Sequence, residues 1–478
     1  MSRCTSKFVR KNVNMIFKCL ILNLLWKYTF SEYTFDIKYS DVPVDHFTIQ
    51  NKTFKLRYLI NGDYHVKGGP VFLYTGNEGN IFMFAQNTGF MFDIAPVFNA
   101  LVVFIEHRYY GESLPFGNQS NTPENLRFLT SSQALADYVH VIEELRKTYF
   151  ATILTNDTLP VVSFGGSYGG MLAAWLRMKY PTSVIGAIAS SAPIWYFRNM
   201  IPCEKFYEIV TGVFEKFGTA QCTNIIKASW EILRNVTKTS SGMKHLYETW
   251  RICETFGNAT DVEKLVDWLS DIYVNMAMTN YHYPTNFIVP LPAYPVKTFC
   301  DKLVSLNSTD PLSTLANLGK ALTVYTNYTG STLCNSINST SKYLGEYTWD
   351  YQACTELVMP ICSTNKDMFE TQPWDEKKYS EECSKKYGVS NSRPDWIVSE
   401  YGGKNLKYFS NIVFSNGMMD PWSCGGVTTN ISSNIWAVNI TDGVHHSDLR
   451  SADPADTNYV IEARKFHVKS IKKWLNMF

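Results

Sequence analysis

Ser167 stands between two glycine pairs, in Gly165-Gly166-Ser167-Tyr168-Gly169-Gly170. The run before it, Leu159–Phe164, is short, apolar and β-branched. The run after it, Met171–Tyr180, has helical spacing and stops at Pro181. A serine on a tight strand-to-helix turn has its hydroxyl lifted clear of the sheet. It also sits at a helix N-terminus, where amide dipoles favour negative charge. Such a turn needs neighbours without bulk, and the glycines supply them. The chemistry this suits is nucleophilic attack, with the amide of Tyr168 aimed at the developing oxyanion. A phosphate-binding loop is not supported, because no GK[ST] follows and no G-x-G-x-x-G is present here.

A serine hydroxyl near neutral pH needs a base, and the base needs an orienting carboxylate. In α/β-hydrolases these follow the nucleophile in the order acid, then histidine. Asp420 lies just past the strand-like run Asn411–Phe414, and His445 and His446 lie just past Ile435–Ile440. Both are loop positions at strand C-terminal ends, where an open α/β sheet places its site. His46, His65, His107, His140, His245 and His282 precede Asp420, and His467 falls within the terminal helical pattern. Order therefore leaves His445 or His446, without choosing between them.

The elements that must position these residues alternate in type. Phe54–Ile60, Val71–Thr75, Leu101–Glu106, Leu159–Phe164 and Val184–Ala189 read as strands, with a helix at Ser131–Tyr149. Short apolar runs between helices predict a parallel sheet covered on both faces. From about 194 to 400 helical patterns dominate, and the strand signals return at 410. The expected organisation is a signal peptide at 1–32, the first part of the core at 33–193, a helical cap insertion at 194–400 and the second part of the core at 401–478.

The 478 residues are 45% hydrophobic and 18% charged, with 44 Lys and Arg against 43 Asp and Glu. That composition supports a large core, and the near-zero balance gives no reason to expect nucleic acid. Lys7, Arg10 and Lys11 precede the apolar run Met15–Trp26, which is short for a membrane span and reads as a secretory signal. Export agrees with ten glycosylation sequons, at Asn51, Asn118, Asn156, Asn235, Asn258, Asn307, Asn327, Asn338, Asn430 and Asn439. It agrees also with eight cysteines confined to 203–383, an even set that reads as four disulfides. Those are Cys203, Cys222, Cys253, Cys300, Cys334, Cys354, Cys362 and Cys383; Cys424 is left over.

Several stretches closely resemble the serine peptidase family that contains lysosomal Pro-X carboxypeptidase and dipeptidyl peptidase II. They include Val44–Phe47, Tyr74–Gly79, Glu106–Gly117, Gly165–Met171 and Ser415–Trp422. Cys354–Cys362 and Tyr401–Asn405 look nearer to the Pro-X carboxypeptidase branch. The resemblance implies an α/β-hydrolase core with an inserted, disulfide-stapled helical cap. It implies Ser167 as nucleophile, Asp420 as orienter and His445 as base, with a second oxyanion donor in the Gly76–Gly79 loop, placed at Gly76. Met171, Met359 and Trp422 match positions lining the family's proline pocket, and Glu78 is a candidate to hold a substrate ammonium. The implied disulfides are Cys203 with Cys362, Cys222 with Cys300, Cys253 with Cys334, and Cys354 with Cys383.

The resulting expectation is a serine exopeptidase that cleaves after a penultimate proline to release one C-terminal residue. The alternative is release of N-terminal X-Pro dipeptides. A binding protein on a dead hydrolase scaffold, and a lipase or esterase, are the remaining classes. No metal or organic cofactor is required. The substrates are proline-containing peptides, the resemblance allows a homodimer, and the destination is the secretory pathway, lysosomal or secreted. Two departures stand out. Asn80 occupies a position where the family commonly has Asp. Cys424 lies four residues after Asp420, where a free thiol would be a handle for covalent inhibitors.

Overall fold

The structure is a computed structural model that describes residues 33–150, 159–254, 259–306, 310–338, 344–389 and 395–477. The expected signal at 1–32 and the sequons at Asn156, Asn258 and Asn307 lie outside the described residues. Eight strands form one sheet: β1 (Asp36–Pro43), β2 (Thr53–Asn61), β3 (Val71–Thr75), β4 (Leu101–Ile105), β5 (Val161–Gly166), β6 (Gly186–Ser190), β7 (Ile412–Gly417) and β8 (Ile435–Ile440). Their order across it is β1-β2-β4-β3-β5-β6-β7-β8. From β4 to β8 every pairing is parallel. The expectation of a parallel sheet needs correction at one edge, where β1 and β2 are antiparallel and β2 is antiparallel to β4. β1 escapes a search for apolar runs because only Ser40 and Val42 are buried in it, as suits an edge strand.

β3, β4, β5, β6 and β7 are buried at every position. Burial on both faces is what parallel strands under two helical layers require. Four helices matter most around the sheet: α1 (Phe90–Phe98), α2 (Ser131–Phe150), α3 (Tyr168–Lys179) and, at the end of the chain, Asn458–Asn476. Leu73, Val103, Val161 and Ala187 on one face share a core with Leu135 and Tyr138 of α2 and Leu172 of α3. Their neighbours along the strands point to the other face. There Phe72 meets Phe98, with ring centres 5.4 Å apart, and Phe104 stacks on Phe92 at 6.0 Å. The terminal helix packs so close to β6 that a Cβ on Gly186 would lie 2.2 Å from the Trp474 ring.

Between β6 and β7 the chain builds helices around a second core, in which Phe214, Trp230, Tyr273 and Phe299 are buried together. Apolar helix faces meet in this core, and disulfides Cys203–Cys362, Cys222–Cys300, Cys253–Cys334 and Cys354–Cys383 staple the region. Met359 packs against both cores. Asp36–Phe478, helical region included, holds together as one compact unit. No helix among the described residues is long and apolar enough to cross a membrane. Of the described sequons, Asn51, Asn118, Asn235, Asn338, Asn430 and Asn439 are exposed and Asn327 is half-buried.

Candidate active site

The turn from β5 into α3 holds Ser167 at φ 57° and ψ −130°. A non-glycine residue adopts this only under constraint, and such strain gathers at functional sites. The constraint is visible in the neighbours. A Cβ on Gly165 would lie 2.1 Å from the Gly169 carbonyl oxygen, so the backbone can fold back on itself only without side chains. A Cβ on Gly166 would lie 2.5 Å from the His446 ring. The Ser167 amide donates to the Ser190 carbonyl at 3.0 Å and pins the turn to β6.

Asp420 follows β7 and is fully buried. One carboxylate oxygen accepts from the Trp422 amide at 3.2 Å, and the other meets His445 Nδ1 at 2.7 Å. His445 is 3% exposed. Its amide donates to Met278 O at 3.1 Å, and its carbonyl accepts from the Tyr281 hydroxyl, so the helical region grips the histidine loop. His446 stacks on His445 with ring centres 3.9 Å apart and has a positive φ of 57°. Burial and the neighbouring His445 hold its pKa well below the ordinary histidine value, so it stays neutral. The pair left open by chain order is thereby separated: Asp420 binds His445, and His446 Nε2 is buried with no hydrogen-bond partner among the described residues.

Ser167 and His445 line a cavity of about 670 Å³ together with Glu78, Met171, Met359 and Trp422. Tyr168 lines it as well. Gly76 does not. It is pressed against β4, where a Cβ would lie 2.3 Å from Ile105 O, and its carbonyl accepts from the Tyr138 hydroxyl at 3.1 Å. The part of that loop reaching the cavity is Asn77 and Glu78. Asn77 is fully buried and donates to Gly166 O at 2.7 Å, which ties the loop to the serine turn. Burial raises the Glu78 carboxyl above the ordinary range, against His445 and Asn77, which favour its charge.

Tyr168 is held from behind. His107 Nδ1 lies 2.7 Å from Arg108 O, a pure acceptor, so Nδ1 carries the proton. His107 Nε2 then accepts from the Tyr168 hydroxyl at 3.0 Å, and Gln352 Nε2 donates to that hydroxyl at 2.9 Å. The tautomer agrees with burial, which pulls the His107 pKa down to about 4. The neighbouring Glu106 and Arg108 are structural. Glu106 accepts from the Arg57 guanidinium and from the amides of Ile81, Glu112 and Ser113. Arg108 makes a two-pronged pair with Asp137 at 2.6 and 2.7 Å.

Sequence reasoning missed the acidic wall. Asp267 and Asp271 from helix Ala259–Met278, with Glu346 and Asp350 from helix Glu346–Thr355, also line the cavity. Asp271 is exposed, yet desolvation within the cavity and its acidic neighbours raise its carboxyl above the ordinary range. The spacing of Asp267 and Asp271 is equally that of a solvated helix face, so it carried no distinguishing signal. Cys424 also reads differently in three dimensions. Desolvation and nearby Asp420 push the thiol of this half-buried residue up to about 12, which favours its protonated, less nucleophilic form.

The pattern of the family described as serine carboxypeptidase S28 matches residues 42–467. The chain belongs to the serine carboxypeptidase S28 family. It is 46% identical over 449 residues to lysosomal Pro-X carboxypeptidase of Homo sapiens, covering 93% of this chain and 89% of that one. It is 39% identical to prolyl carboxy peptidase like protein 5 of Caenorhabditis elegans, covering 93% and 90%. The thymus-specific serine protease of Homo sapiens is more distant, at 26% identity over 91% and 85%. This S28 member is a serine-type exopeptidase with an α/β-hydrolase core, and its substrates are peptides.

Proposed function

We propose that the chain is a Pro-X carboxypeptidase that cleaves after a penultimate proline and releases the C-terminal residue through an acyl-enzyme. The observation that carries the reading is the buried 2.7 Å contact between Asp420 and His445, in a cavity that Ser167 also lines. With Nδ1 held by Asp420, His445 Nε2 takes the Ser167 proton as Oγ attacks the proline carbonyl. The oxyanion is received by the Tyr168 amide and by the Asn77–Glu78 stretch of the neighbouring loop. His445 then protonates the leaving amine, and the C-terminal residue departs. Water, giving its proton to His445, attacks the ester and frees a peptide that ends in proline.

Met171, Met359 and Trp422 support the preference for proline. A proline ring is apolar and has no N–H to satisfy, so an apolar wall suits it. The helical region 194–400 acts as the cap that encloses this cavity. Four disulfides and exposed sequons support passage through the secretory pathway, to a lysosome or outside the cell.

The test is product analysis on two substrates, an N-blocked peptide ending Pro-Phe and a free-amine X-Pro amide. Release of phenylalanine from the first is expected, with a fluorophosphonate labelling Ser167. Turnover of only the second would replace this reading with a dipeptidyl peptidase.

A further inference from the structure

One oxygen beside the cavity has nothing to bind. Glu78 Oε2 is inaccessible to solvent and has no hydrogen-bond partner among the described residues, although the residue lines the same cavity as Ser167 and His445. A buried polar atom left so is normally completed by something absent from the protein itself. Glu78 lies close enough to His445 for their charges to interact. In a carboxypeptidase His445 delivers its proton to the leaving amine of the departing residue, which would share the cavity with Glu78. That residue carries the free terminal carboxylate one bond beyond its Cα. Lys264 is the one lysine or arginine among the described cavity residues, and it belongs to helix Ala259–Met278 with Asp267 and Asp271. Among the described cavity residues the carboxylate therefore has no guanidinium and a single ammonium to meet.

We propose that the Glu78 side chain, as an undissociated acid, donates a hydrogen bond to the terminal carboxylate of the substrate and so makes a free C-terminus part of recognition. This rests on the carboxypeptidase reading above. A carboxylic acid and a carboxylate share one proton in a short, charge-assisted hydrogen bond, whereas two carboxylates repel. The donor must therefore be neutral. Around Glu78 stand His445, the phenols of Tyr74 and Tyr110, and the Asn77 amide. Gly345 N donates to the Glu78 carbonyl at 2.8 Å, and Glu346, Asp350 and His446 also line the cavity. Burial outweighs the groups that favour the charge and raises the carboxyl above its ordinary range. The donor is consequently present at acid pH and is lost as pH rises through that raised value.

The experiment measures KM from about pH 4.5 to 7.5 with an N-blocked peptide ending Pro-Phe and with its C-terminal amide. In the wild type, KM for the free acid should rise roughly tenfold to hundredfold with pH, as expected for loss of a hydrogen bond to a charged group, while KM for the amide stays flat. Glu78→Gln carries a neutral donor at every pH, so its KM for the free acid should lose the rise. Glu78→Ala should show the high KM already at the acid end. Fluorophosphonate labelling of Ser167 checks that each variant is folded. The wild-type comparison of acid with amide needs no variant at all. A parallel rise for the amide, an unchanged rise in Glu78→Gln, or a KM that falls with pH as ammonium binding would require, overturns the proposal. If the wild type releases no phenylalanine at any pH, the carboxypeptidase reading falls as well; release with a profile indifferent to Glu78 sinks this proposal alone.

Discussion

Glu356 offers a direct measure of how the helical region is fastened to the sheet. Its carboxyl accepts from the Ser131 amide at 2.8 Å, the Ser131 hydroxyl at 3.0 Å and Gln352 Nε2 at 3.0 Å. Gln352 in turn holds the Tyr168 hydroxyl, so the same cluster supports the residue next to the nucleophile. Glu356 is 4% exposed. Burial pushes its pKa from 4.5 up to about 7, against hydrogen bonds that favour the charge. The folded chain therefore holds this proton more tightly than the unfolded one. Its contribution is fully present below about 4.5 and is lost as pH rises to about 7. At ~1.4 kcal/mol per tenfold change in proton affinity, ionised Glu356 leaves the fold about 3 kcal/mol less stable. Unfolding entropy for a unit the size of Asp36–Phe478 scales to roughly 0.9 kcal/mol per kelvin, so the shift in Tm is about 3–4 °C.

Glu356→Gln is neutral at every pH and keeps an acceptor for Ser131 and Gln352. Thermal unfolding of both proteins at about pH 5 and about pH 8 decides the matter. The variant should melt close to wild type at acid pH and about 3 °C higher at pH 8, where the buried charge is gone. An equal difference at both pH values, or a lower Tm for the variant at pH 8, would show that the carboxylate is ionised and needed, and the reasoning would be wrong.

Ser167→Ala should lower kcat by a factor on the order of 10⁶, with unfolding temperature preserved, in a peptide-release assay. Gly166→Ala drives a methyl group into the His446 ring, which is stacked on His445, so kcat should fall about a hundredfold or more while the protein still folds. Replacing Cys222 and Cys300 together by serine opens a link spanning 78 residues and should lower stability by about 2–5 kcal/mol in denaturant unfolding. Cys424 should resist iodoacetamide at neutral pH in the native protein and react once the chain is unfolded, as read by mass spectrometry. Rapid native labelling would contradict its burial.

How much was legible follows from how local each signal is. β3 and β4, VFLYT and LVVFI, announce themselves because a strand buried on both faces must be apolar throughout. β1 does not, because an edge strand needs few buried positions. The serine turn was readable because the glycine pairs stand beside Ser167 in the chain, although only Gly165 is crowded chiefly by its own turn while Gly166 meets the His446 ring and Gly169 meets Asn77. Gly76 was misplaced as a cavity donor because chain position fixes the loop but not which of its residues faces inward. The acidic wall at Asp267 and Asp271 was invisible because the same spacing serves a wet helix face.

By itself, then, the sequence determined the nucleophile turn, the candidate acid, the existence of a sheet interrupted by helices, and membership of a peptidase family, since each is written in neighbouring residues. The solitary oxygen of Glu78, the quiet thiol of Cys424 and the support behind Tyr168 were decided only by tertiary structure, which also sets His445 and not His446 against Asp420. The support behind Tyr168 joins it to Gln352, which is 184 positions distant yet 2.9 Å away. Burial and proximity, which set proton affinity and hydrogen-bond partners, exist only once the chain has closed around them.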